Sequence, residues 1–154
     1  SLLLDQIRIP NSIAWSPEGD VMYFSDTRAE TIWSFHYNCE TGKISDRKTF
    51  AKFSHRQGRP DGATVDLEGY LWCAEYGGGK ILRFDPKGKL VSEITLPATN
   101  VTSCAFGGPN FSTLFITTAS QRLNPEQKML QPLAGSIFSC ELNITGIPEP
   151  TFTG

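Results

Sequence analysis

The chain has 154 residues, 39% of them hydrophobic and 11% aromatic, with 14 Lys/Arg against 16 Asp/Glu for a net charge of −2. That amounts to one ordinary globular domain, and the interspersed charge leaves no basic footprint for nucleic acid. No apolar run approaches the roughly 20 residues of a membrane helix, and Leu2-Leu3-Leu4 is cut short by Asp5, so neither a membrane span nor a signal peptide is expected.

In chain order, residues 2–9 read as a strand that precedes a repeated pattern. Asn11 leads into a short apolar run (NSIAWSPEG), followed by strands at VMYFSDT from Val21, IWSFHY from Ile32 and Arg47 to Phe53. Asp61 opens the same series: DGATVDLEG, LWCAEY from Leu71, ILRFD from Ile81 and Leu90 to Leu96. Ser103 opens it a third time with SCAFGGPNF, LFITTA from Leu114 and IFSCEL from Ile137. The joints carry turn chemistry, as in Pro17-Glu18-Gly19-Asp20, Leu67-Glu68-Gly69, Glu40-Thr41-Gly42-Lys43 and Asp85-Pro86-Lys87-Gly88. Asn124 to Leu133 breaks the pattern, with proline just after an asparagine N-cap, and reads as a helical turn or loop inserted between strands.

A period of roughly 40 to 50 residues with three or four strands per unit is that of a β-propeller blade. The fold expected is all-β, about three blades near 10–53, 60–97 and 102–152, with 1–9 as the outer strand of a neighbouring blade. Blades stand radially, with their innermost strands around a channel, so Asn11, Asp61 and Ser103 should converge at one mouth. Three oxygen-bearing side chains there suit a hard cation such as Ca²⁺ or Mg²⁺. Asn and Asp before a strand also serve simply to hydrogen-bond the turn, and spacing alone does not separate the two.

Other motifs carry less. Cys39, Cys73, Cys104 and Cys140 are widely spaced with no metal-ligand pattern and read as buried reduced thiols, which favours a cytoplasmic location. The sequons at Asn100, Asn110 and Asn143 are short enough to arise by chance. His36 and His55 read as surface or structural residues, Gly77-Gly78-Gly79 as a tight loop, and Asp26 as the tie of a strand end.

The runs IPNSIAWSPEG, RPDGATVDLEGYLW, VTSCAFGGPN, LFITTA and PLAGSIF together resemble the senescence-marker-protein/gluconolactonase/regucalcin-like family. The resemblance implies a six-bladed propeller of which this chain matches the C-terminal half, and a divalent cation at the channel mouth that assists hydrolysis of lactones or related esters. Asn11 matches the asparagine ligand, with Ser12 in place of the usual glycine after it. Asp61 matches the aspartate that is both ligand and proposed general base. The cation implied is Ca²⁺ foremost, with Mg²⁺, Mn²⁺ or Zn²⁺ as alternatives. A glutamate ligand of the first blade has no counterpart, and Glu75, Tyr76 and Ser103 are candidate substrate contacts. The competing function is a non-catalytic half-propeller for binding or assembly. Three blades leave open ends, so the partner expected is a second copy or a complementary N-terminal half.

Overall fold

The computed structural model describes residues 2–148. Its strands form three antiparallel sheets, each a meander in sequence order. The first holds β1 (Pro10–Trp15), β2 (Val21–Asp26), β3 (Thr31–Asn38) and β4 (Lys43–Lys52). The second holds β5 (Arg59–Val65), β6 (Leu71–Tyr76), β7 (Lys80–Phe84) and β8 (Leu90–Thr95). The third holds β9 (Val101–Gly107), β10 (Thr113–Thr118) and β11 (Ile137–Glu141). Sequence places the reversals well: Gly19 and Gly69 take left-handed backbone at equivalent hairpins, φ 72° and 83°.

Contacts between neighbouring sheets are made chiefly by the first strand of the following sheet, β5 against β1 and β9 against β5 and β6. The first strands therefore lie together and the later ones splay outward, which is the radial stacking of blades. Sheet two is buried on both faces, so β6 shows no polar alternation. Leu71 and Cys73 enter a core shared with Tyr23, Ile32 and Phe53, while Trp72 and Ala74 enter another with Val101, Leu114 and Ile116. Truncating a fully buried side chain such as Phe53 to alanine should cost about 3–5 kcal/mol.

Residues 2–9, expected as the outer strand of a neighbouring blade, pair with no strand among the described residues. The N–H groups of Arg8 and Ile9 donate to the Asp26 carboxylate at 3.1 Å each instead of to a ladder, and Leu4 and Ile7 pack on Met22, Phe24 and Phe35. Asp26 is thus the tie of a strand end that its sequence suggested, fastening the segment that leads into β1. Burial acts to raise its pKa, but the N–H groups of Arg8, Ile9 and Arg28 outweigh that and hold it low. The expectation of four buried thiols is corrected: Cys73 and Cys104 are buried, whereas Cys39 is exposed and Cys140 partly so. No disulfide forms, and burial pushes the Cys73 thiol up to about 12.

The inserted segment is a short helix, α1 (Pro125–Leu130), with a reciprocal capping box between Asn124 and Gln127. Gln131 Oε1 accepts from Thr99 N and Oγ1 at 2.7 and 3.0 Å, fastening the insertion to the loop before β9. After β11 the chain turns back, and Gly146 bridges Asp66. Residues 149–152 of the third predicted blade lie outside the described residues. No helix among the described residues is long and apolar enough to cross a membrane.

Candidate functional site

The first strands share an irregularity. β1 is bulged between Asn11 and Ala14, and β5 between Pro60 and Ala63. A bulge re-aims the side chains around it, and here it turns Asn11 and Asp61 into one cleft of about 270 Å³. In β9 the slip lies opposite Thr117 and Thr118, where Thr102 is passed over. Thr102, and not Ser103, is consequently the third-sheet residue in the cleft. Ser103 lines a neighbouring hollow with Asn11, Ser12 and Gly62, one residue out of the predicted phase. Gly62 has its own reason to be glycine, since a Cβ there would lie 2.3 Å from Ser103 Oγ.

Asn11 Nδ2 donates to Thr27 Oγ1 at 2.9 Å, and Thr27 Oγ1 donates onward to the Pro60 carbonyl at 2.8 Å. Because the threonine hydrogen is committed to Pro60, its oxygen must accept, which fixes the amide with nitrogen towards Thr27 and leaves Asn11 Oδ1 for a ligand. Thr27 escaped the sequence reading, since nothing in a serine- or threonine-bearing turn distinguishes this one. The Asp61 carboxyl is pushed up to about 6 by burial, against a single favourable hydrogen bond from the Gly62 N–H.

An amide oxygen and a carboxylate whose charge is poorly compensated are suitable donors for a hard divalent cation. They are two donors where calcium takes about six to eight. Among the described residues no three His, Cys, Asp or Glu side chains converge.

Tyr76 lines the cleft with Asp61. Glu75 does not, because adjacent residues of a strand point to opposite faces. Glu75 is 2% exposed, accepts from Arg56 Nε and Nη2 at 2.8 and 3.1 Å, and accepts from Gly58 N at 3.3 Å. Asn100 is buried and donates to the Gln121 carbonyl, so its amide is engaged in the fold. His36 and His55 are exposed, and Gly77 to Gly79 form the tight loop between β6 and β7.

Radial sheets with a polar mouth at their first strands define an all-β chain that is half of a six-bladed β-propeller. Residues 1–120 match the SMP-30/gluconolactonase/LRE-like region, and the chain belongs to that family. It is 40% identical over 152 residues to regucalcin from Danio rerio, covering 97% of this chain and 52% of that protein. The solved structure of a calcium-binding protein, regucalcin, from Agrobacterium tumefaciens superposes with a TM-score of 0.93 at 31% identity, over 97% of this chain and 51% of that one. A gluconolactonase from Xanthomonas campestris aligns with a TM-score of 0.64 at 34% identity, over 75% of this chain and 36% of that one. The chain spans about half the length of the curated relatives it matches.

Proposed function

We propose that this chain supplies the base and two cation-binding oxygens of a divalent-metal-dependent lactonase. The observation that carries the reading is the shared bulge, which brings Asn11 Oδ1 and the half-buried Asp61 carboxyl to one cleft. Asn11 and Asp61 would hold the cation, Ca²⁺ before Mg²⁺, Mn²⁺ or Zn²⁺, and when bound it supplies polarisation of the carbonyl and stabilisation of the oxyanion. Asp61 takes a proton from water as the water oxygen bonds to the carbonyl carbon. It returns that proton to the ring oxygen as the C–O bond of the lactone breaks. Tyr76 and Thr102 border the position where the lactone sits.

The ring is completed by three further blades of the same type, which supply the remaining cation ligands. Support comes from the relatives, of which this chain spans about half, and from apolar side chains left on the last sheet, Phe115 at 42% and Ile137 at 72% exposure. The free, buried thiols of Cys73 and Cys104 suit a reducing compartment such as the cytoplasm.

One observation favours the competing reading of a non-catalytic binding or assembly module, namely that among the described residues no three His, Cys, Asp or Glu side chains converge to hold a cation. A single experiment separates the two. In the native assembly, lactone hydrolysis should require added divalent cation, stop with chelator, and fall by at least ~100-fold in Asp61→Asn. Hydrolysis that is absent with every cation, or unchanged in Asp61→Asn, rejects the lactonase.

A further inference from the structure

Three arginines that the proposed chemistry does not use line the same cleft, and they arrive from separate parts of the fold. Arg28 lies in the 3-10 turn after β2, Arg59 opens β5, and Arg122 lies in the turn between β10 and the inserted helix. Each backbone is anchored. Arg28 N donates to Asp26 Oδ1 at 3.0 Å. Arg59 precedes Pro60, whose carbonyl is held by Thr27. Arg122 follows Gln121, whose carbonyl accepts from the buried Asn100 Nδ2 at 3.0 Å.

Two of the three are unpaired. Among the described residues Arg28 and Arg122 form no ion pair. Arg59 gives its Nε to Glu30 Oε1 at 3.0 Å, so both its terminal nitrogens remain without a hydrogen-bond partner among the described residues. Asp61 is the one carboxylate lining the cleft. The unpaired Arg28 and Arg122, with the open end of Arg59, give this side of the cleft positive charge that an anionic group of a ligand would meet. A neutral sugar ring offers no such group, whereas the guanidinium fork matches a carboxylate or a phosphate.

We propose, resting on the lactonase reading above, that the cleft selects lactones or esters bearing a second, anionic group, held by Arg28, Arg59 and Arg122. The carbonyl end then lies towards Asn11 and Asp61 and the anionic end towards the arginines. This assigns the turn after β10 a part in specificity, since that turn delivers Arg122.

The test is calorimetric titration of the native assembly, stripped of metal on a chelating resin so that binding is read without turnover. The probes are saccharolactone, which carries a free carboxylate, and the uncharged galactonolactone. Saccharolactone should bind at least ~10-fold tighter, with an advantage that shrinks as salt is raised. In the double variant Arg28→Gln/Arg122→Gln, at two exposed positions, the advantage should disappear while galactonolactone binding is unchanged. Displacement of saccharolactone by inorganic phosphate more effectively than by acetate assigns the tail as a phosphate, and the reverse assigns a carboxylate. Equal affinities in the wild type, or an advantage that survives in the double variant, overturns the proposal. An advantage present alongside turnover that is indifferent to Asp61→Asn keeps the anion site and rejects the lactonase. Turnover that depends on Asp61 without any preference for the charged lactone does the opposite.

Discussion

Ser12 Oγ donates to the main-chain oxygen of Asp61 at 2.5 Å, so a residue inside one bulge is bonded to the backbone inside the next. The same hydroxyl accepts from Ser25 Oγ at 2.9 Å and lies 3.5 Å from Cys73 Sγ. Ser12 does this at φ 52°, a left-handed conformation that favours glycine, the residue its family resemblance led one to anticipate there. The hydrogen bonds offset that conformational cost and register β1 against β5.

Two substitutions separate the contributions. Ser12→Ala keeps the strain and strands the bonded groups, and should lower stability by about 1–3 kcal/mol. Ser12→Gly loses the same bonds but relieves about 1 kcal/mol of backbone strain, so it should be the milder variant in urea unfolding. The reverse order would mean that the hydroxyl is not what fixes the bulge.

Asp61 gives the metal-free protein a pH signature. Its carboxyl titrates at about 6 in the fold against 3.8 in its ordinary state, so between those values the folded state binds more protons than the unfolded one. Stability therefore falls as pH rises through that window, and the ionised form is the destabilised one above it. Asp61→Asn should remove this part of the pH dependence and stabilise the metal-free protein near neutrality by about 1 kcal/mol, allowing for solvent screening. Urea midpoints of both proteins from acid to neutral pH would check this, with parallel profiles counting against it.

Glu75 should behave as a structural anion. Glu75→Ala leaves the Gly58 N–H unbonded and deprives the Arg56 guanidinium of its buried partner, at a cost of about 3–5 kcal/mol. The measurement is a lower thermal midpoint with unchanged lactone affinity in the fraction that remains folded. A selective loss of affinity would restore it to the binding site.

The 154-residue chain by itself should self-associate at micromolar concentration, because its last sheet presents Phe115 and Ile137 to solvent. Light scattering should show species larger than a monomer, and Phe115→Glu with Ile137→Lys should shift them towards monomer. A monodisperse wild-type monomer would remove this surface as an interface.

The blades are legible in the amino-acid sequence alone. Apolar strands recurring with glycine and proline at the joints fix a local period, and local period is what a one-dimensional reading sees. It also singled out Asn11 and Asp61, because each follows a proline directly ahead of such a strand. The tertiary structure decided what lies beside them. A bulge shifts facing by one residue without changing the hydrophobic pattern, which is why Thr102 replaced Ser103 in the cleft. Strand alternation sent Tyr76 to the cleft and Glu75 to Arg56, a partner 19 residues away. Leu2 to Ile9 has strand-like composition, yet a strand exists only through its partners, and here the N–H groups of Arg8 and Ile9 bond the Asp26 carboxylate. The convergence of Arg28, Arg59 and Arg122 required three distant segments to be folded before their charges had a common meaning.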